Sequence, residues 1–189
     1  MTENQGKPAL TPGRISSKRV YSGRIISVDV DQVRFPDGSL GELEMVRHSG
    51  ASAVVPLLDG GTDPQVVLVR QYRYAADGYV YEIPAGRLDP GETPEACASR
   101  ELREETGYTS ASLLKLTTIY TTPGFTDERI HLFVAEGLTP GSSEREADEF
   151  LELYPVRLSE AVAMIRSGDI VDAKTSVALL LAYLAQNPK

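Results

Sequence analysis

Three glutamates, Glu101, Glu104 and Glu105, lie on one arc of a helix whose two ends are both written into the sequence. Thr93 is a suitable N-cap, Pro94 fits the first helical position, and Glu95 places a negative charge in the first turn, where the helix dipole favours it. Gly107 supplies the left-handed residue that ends such a helix. The segment therefore reads as a helix over 94–106. At about 100° per residue, Glu101 and Glu105 stand one above the other and Glu104 lies beside them. Like charges four apart cost a helix a few tenths of a kcal/mol, and a divalent cation would reverse that sign. Carboxylate oxygens are the donors that hard ions such as Mg²⁺ prefer. Ala98 and Leu102 flank the arc, so it is expected at the edge of the buried face. Before it, Gly86 and Gly91 let the backbone turn sharply and approach a ligand closely. A glycine-bearing loop leading into an acidic helix suits a metal-bridged phosphate. The phosphate-binding loop and dinucleotide fingerprints are both absent.

The rest of the chain reads as mixed strands with helices at two further places. Residues 1–14 are polar and read as a mobile arm. Residues 18–30 read as one strand, Arg34 to Gly38 as a turn and 41–47 as the returning strand, so that 15–47 forms a small β appendage. Strands follow at 51–58, 65–72, 78–83, 112–121, 128–135 and 150–156, with a charged loop at 139–149. Ser159 is expected to cap a short helix ending near Gly168. Asp172 is expected to cap a last helix with Val177, Leu180, Leu181 and Leu184 at core spacing. This pattern predicts an α/β chain in a helix–sheet–helix sandwich. Nineteen basic against 27 acidic residues give a net charge of −8, which disfavours a nucleic-acid partner. No apolar run is long enough for a membrane span. The opening residues lack the hydrophobic stretch of a secretory signal, so a cytoplasmic protein is expected. Cys97, the single cysteine, reads as a small packing residue.

The segment Gly86 to Tyr108 resembles the signature of the Nudix hydrolases, G-x5-E-x7-R-E-U-x-E-E-x-G-U, where U is a bulky aliphatic residue. Gly86, Glu92, Arg100, Glu101, Leu102, Glu104, Glu105 and Gly107 match at the required spacing, and Tyr108 alone departs from it. The resemblance implies the Nudix-type α/β/α sandwich with a mixed sheet over 48–189, and places the appendage of 15–47 outside it. It implies Glu101 and Glu105 as the main metal ligands. Glu104 would be a further ligand or would hold a metal-bound water, and the carbonyl of Ala85 would be a backbone ligand. Glu92 and Arg100 would pair to support the loop, with Gly86 and Gly107 as structural residues.

Three features are similar to the branch that cleaves ADP-ribose and other nucleoside diphosphate sugars. Pro123 lies 16 residues past Gly107 in the run Thr121 to Glu128, which also holds Phe125. Arg70-Gln71-Tyr72-Arg73 follows an apolar strand, and Glu82-Ile83-Pro84-Ala85-Gly86 precedes the signature. The appendage resembles the extension that builds a homodimer sharing its substrate site. Arg70, Tyr72, Glu82, Pro123, Phe125, Arg24, Ile26 and Arg47 are therefore implied as substrate-binding residues. His48 reads equally as a turn residue. The implied reaction is hydrolysis of ADP-ribose to AMP and ribose 5-phosphate, assisted by Mg²⁺ or Mn²⁺. Another sugar nucleotide such as GDP-mannose is the alternative substrate, and a non-catalytic ADP-ribose sensor a remote one. A carboxylate outside the signature would position or deprotonate the attacking water. Of Glu144, Glu146, Glu149 and Glu152, Glu149 is the first choice, also as a metal ligand, and Glu146 the second.

Overall fold

The structure, a computed structural model, describes residues 11–58, 60–142 and 151–187. The chain divides into two units, Met1–His48 with Thr122–Glu128, and Ser49–Thr121 with Arg129–Lys189.

The first unit is an antiparallel meander of β1 (Gly13–Ser22), β2 (Ser27–Arg34) and β3 (Leu40–Arg47). The single strand expected over 18–30 is broken, because Gly23 N donates to Ile26 O at 2.9 Å and turns the chain there. At the expected turn after Arg34, Phe35 N donates to Ser39 O at 2.9 Å. Asp29 and Asp31, two apart on β2, point to one face and are buried. Arg47 neutralises both, and also donates to Asp127 at 3.1 Å. Arg19 adds a second cation at Asp29 and holds its carboxyl down at about 2. The 122–128 segment is stitched to β3 by Val46 N donating to Phe125 O at 2.7 Å.

The second unit contains two sheets. In one, β10 (Leu151–Arg157), β5 (Gln65–Arg73) and β6 (Gly78–Glu82) are antiparallel neighbours. The other is mixed: β7 (Ala85–Arg87), β4 (Ala51–Pro56), β9 (Arg129–Pro140) and β8 (Tyr108–Tyr120), with β4 and β9 parallel. All six residues of β4 are buried, as suits a strand covered on both faces. Val54 and Phe133 pack under α1 (Pro94–Thr106) with Ala98 and Leu102. Ala53, Val55, Leu132 and Val134 point the other way, into a core closed by α2 (Leu158–Ser167) and α3 (Ala173–Gln186). The α/β/α sandwich with a mixed sheet is thus present.

Helix α1 has the expected bounds. Thr93 Oγ1 accepts from Ala96 N at 3.2 Å, and Gly107 adopts the left-handed conformation with φ 78°. Helix α2 differs: its N-cap is Arg157, and Ser159 is the second residue of the helix. The capping carboxylate comes from a distant loop, Asp63, which accepts from Ser159 N at 2.9 Å and Ser159 Oγ at 2.8 Å. Asp172 caps α3 as expected, accepting from Thr175 N at 2.9 Å. The buried face of α3, however, is Thr175, Ala178, Leu179 and Ala182, while Leu180 and Leu184 are exposed. This helix is apolar on nearly every side, so periodicity cannot choose its inner face. The small alanines do so by letting the backbone approach the sheet closely.

Candidate active site

The three-residue strand β7 fixes the loop before the acidic helix. It pairs antiparallel with β4, with Ser52 opposite Gly86 and Ala53 opposite Ala85. Above it, Ser52 Oγ donates to Pro94 O at 2.8 Å and Cys97 Sγ lies 3.4 Å from Gly86 O, tying the start of α1 to the strand. Burial raises the Cys97 thiol to about 11, with Glu101 and Glu92 adding to the shift, so it is not a thiolate nucleophile.

Gly86 is a steric requirement. A Cβ built on it would overlap the carboxylate of Glu101, so only glycine lets that side chain lie against the Ala85–Arg87 backbone. Glu101 is 7% exposed and Glu105 2%, while Glu104 is partly exposed. The acidic arc therefore lies at the buried edge of α1.

Arg100 organises these carboxylates. Its Nε and Nη2 donate to the two oxygens of Glu92 at 2.9 and 3.0 Å, a bidentate pair. Nη1 donates to Glu101 at 2.5 Å and Glu104 at 3.0 Å, and Nη2 also reaches Arg87 O at 3.1 Å. Glu92 in turn accepts from Asp89 N at 3.0 Å. The Arg100 guanidinium holds the Glu92 carboxyl down at about 2, against an ordinary 4.5. A folded-state value below the unfolded one means stability that is fully present above about pH 4.5 and lost as pH falls through 2. The melting-temperature gap between the natural chain and Glu92→Gln is therefore expected to be constant near neutrality and to close between pH 4.5 and 2. A gap independent of pH would show that the pair contributes nothing.

The donor set suits a hard divalent ion: three carboxylates and the peptide oxygens of a strand pressed against one of them. Among the described residues, no three His, Cys, Asp or Glu side chains stand close enough together to hold an ion as placed. The Arg100 cation bridges Glu101 and Glu104 instead, so the chemistry of the donors fits an ion while two of them are turned to Arg100.

Strand alternation separates the remaining residues. Val69, Gln71, Arg73 and Glu82 share one face of the β5–β6 pair, and Arg70, Tyr72, Tyr79 and Tyr81 the other. Glu82, 3% exposed, accepts from Arg73 Nε at 2.7 Å and Nη2 at 2.8 Å, and from Lys174 Nζ at 2.5 Å. Burial pushes the Glu82 carboxyl up, but Arg73 and Lys174 outweigh it and hold it below the ordinary value. Arg73 is raised above its ordinary value by the hydrogen bond to Glu82, against the cost of burial, with the charges of Glu82 and Glu105 adding. On the opposite face, Arg70 lies 4.1 Å over the Tyr79 ring and donates to Glu152 at 3.1 Å. Tyr72 meets Tyr79 edge-on at 5.6 Å.

Arg24, Ile26, Arg47, Pro123 and Phe125 all belong to the first unit, where Arg47 is engaged by Asp29, Asp31 and Asp127. Glu144, Glu146 and Glu149 lie outside the described residues. Lys174 was not singled out by the sequence. Its only signal is its place two residues after the α3 cap, and its partner Glu82 is 92 residues away.

A family model described as the NUDIX domain matches residues 47–175, and one described as the nucleoside diphosphate sugar hydrolase N-terminal domain matches 14–42. The ADP-ribose pyrophosphatase of Bacillus subtilis (strain 168) is 42% identical over 174 residues, covering 91% of this chain and 92% of the relative. The GDP-mannose pyrophosphatase of Salmonella typhimurium is 40% identical over 159 residues, covering 75% and 80%. A crystal structure of an ADP compounds hydrolase superposes with a TM-score of 0.80 over 97% of this chain and 99% of that one, at 24% identity, and shows the same fold.

Proposed function

The chain belongs to the Nudix family of hydrolases, and from that premise we propose that it hydrolyses ADP-ribose to AMP and ribose 5-phosphate, with Mg²⁺ as the working ion and Mn²⁺ able to replace it. The observation that carries the substrate is the likeness to the Bacillus subtilis ADP-ribose pyrophosphatase, which extends over 91% of the chain. The placing of Glu101 against the glycine of β7 supports the chemistry.

In this reading Ala85 O, Glu101 and Glu105 hold the ion, and Glu104 is a further ligand or holds a water beside it. The ion neutralises diphosphate charge and activates water when bound. Arg100 and Glu92 keep the loop and helix in register. Arg70, with Tyr72, contacts the substrate from the β5 strand, and Arg24, Ile26, Arg47, Pro123 and Phe125 are the substrate-binding candidates of the first unit. Glu82 sits within the substrate site, ionised between two cations. A loop carboxylate, Glu149 first and Glu146 second, takes the proton of the attacking water. The water oxygen bonds to one phosphorus, the bridging P–O bond breaks, and the bridging oxygen leaves with the other phosphate.

The first unit exposes Ile15, Val20, Tyr21, Ile25, Leu40 and Leu43. So much apolar area on a small sheet supports a homodimer, with a second copy covering it. A cytoplasmic location suits this reading. Among the described residues no helix is long and apolar enough to cross a membrane.

The Salmonella relative favours GDP-mannose as a second reading. Steady-state kcat/KM on a panel of ADP-ribose, GDP-mannose and other sugar nucleotides separates the two. ADP-ribose is expected to lead by about tenfold or more, the worth of a few well-placed contacts. A lead for GDP-mannose would keep the metal chemistry and overturn the substrate.

A further inference from the structure

The segment Glu82–Ala85 carries two groups assigned above, the Glu82 carboxylate and the Ala85 carbonyl, and it is held from one side by β4. Val54 N donates to Pro84 O at 3.0 Å, and β7 follows directly. On its other side lies the first turn of α3, which makes two separate bonds to it. Thr175, fully buried, accepts from Ile83 N at 2.9 Å through Oγ1. Lys174, nearly buried, donates to Glu82 Oε2 at 2.5 Å and to Asp172 Oδ2 at 3.0 Å. Asp172 is itself fixed as the α3 cap through Thr175 N.

These bonds do more than join two elements. The Ile83 amide lies just past the end of the β6 ladder, where no strand partner is left for it, and a buried amide without an acceptor is costly. Thr175 supplies that acceptor, and its direction sets the Ile83 peptide plane two residues before Ala85. The Glu82 carboxylate has two cations, and they play different parts. Arg73 is partly exposed, whereas Lys174 is enclosed and anchored to a cap. Removing Lys174 leaves a buried carboxylate tied only to the partly exposed Arg73.

We propose that Lys174 and Thr175 are positioning residues: the first turn of α3 clamps Glu82 and the Ile83 amide, and so sets where the Glu82 carboxylate and the Ala85 carbonyl stand in the active site. This rests on the Nudix reading of those two groups and adds α3 to the machinery.

The test uses the full chain with Lys174→Met, Lys174→Arg, Thr175→Val and Thr175→Ser. Four quantities are read: kcat and KM for ADP-ribose with Mg²⁺, Mn²⁺ affinity without substrate, hydrogen exchange of the Ile83 amide, and the melting temperature. A 1 Å misplacement costs up to a hundredfold in rate, so Lys174→Met is expected to lose about tenfold or more in kcat and, because Glu82 sits in the substrate site, to raise KM as well. Lys174→Arg, which keeps the cation, is expected to recover most of it. Thr175→Val is expected to speed Ile83 exchange and weaken Mn²⁺ binding severalfold, and Thr175→Ser, which keeps the acceptor, to restore both. Wild-type kcat and Mn²⁺ affinity in both Met and Val variants would overturn the proposal, with or without a lower melting temperature. If the natural chain turns over no diphosphate while Thr175→Val still weakens Mn²⁺ binding, the clamp stands and the substrate reading falls.

Discussion

Glu105→Gln is expected to abolish metal-dependent turnover, by about a thousandfold or more, because the several kcal/mol a bound ion supplies depend on an anionic ligand. The side chain is 2% exposed, so the substitution changes neither shape nor burial appreciably and removes one charge. Glu101 lies four residues away on the same helix, and losing a like charge there relieves a few tenths of a kcal/mol of repulsion. The charge of Glu105 also favours the Arg73 cation, and losing that attraction opposes the relief, so the melting temperature is expected to stay nearly constant while activity disappears. That combination separates a ligand from a structural acid. Measured by kcat with Mg²⁺ alongside thermal unfolding, a variant within tenfold of the natural chain would remove Glu105 from the metal site.

Gly86→Ala is expected to be nearly as damaging to activity, for a different reason. Gly86 is not among the residues with positive φ, so the backbone there tolerates alanine. The obstacle is the Glu101 carboxylate, which already occupies the space a methyl group would need. The carboxylate must swing away or β7 must pull off β4, and either separates Glu101 from the Ala85 carbonyl. Overpacking of this kind costs about 1–3 kcal/mol of stability. The loss of activity is expected to exceed about a hundredfold, since both displaced groups are assigned to the ion. The double variant Gly86→Ala with Glu101→Ala relieves the clash and is expected to regain stability but not turnover. Full activity in Gly86→Ala alone would show that Glu101 need not lie against the strand.

Local chemistry made α1 legible in the sequence. Thr93, Pro94 and Gly107 each satisfy a specific need of a helix end, and the three glutamates follow from spacing alone. Features that depend on distant partners were hidden. β7 is only three residues long and exists because β4 lies beside it. The α2 cap is Asp63, nearly a hundred residues earlier. The strand character of 65–72 was clear, yet the pairing of Arg73 with Glu82, and of Arg70 with Tyr79 and Glu152, emerges only from the β5–β6 and β5–β10 registers. On α3, leucines on several sides masked the face that Ala178 and Ala182 define. Lys174 illustrates the same limit, because its meaning lies in a carboxylate on another strand.

We propose metal-dependent hydrolysis of a nucleoside diphosphate at the acidic helix, with ADP-ribose as substrate. Its most direct test is incubation of the full chain with ADP-ribose and Mg²⁺, with the products separated by chromatography. The expected products are AMP and ribose 5-phosphate in equal amounts, with no turnover once a chelator removes the ion. Release of ADP and free ribose, or equal turnover in the chelator, would contradict it.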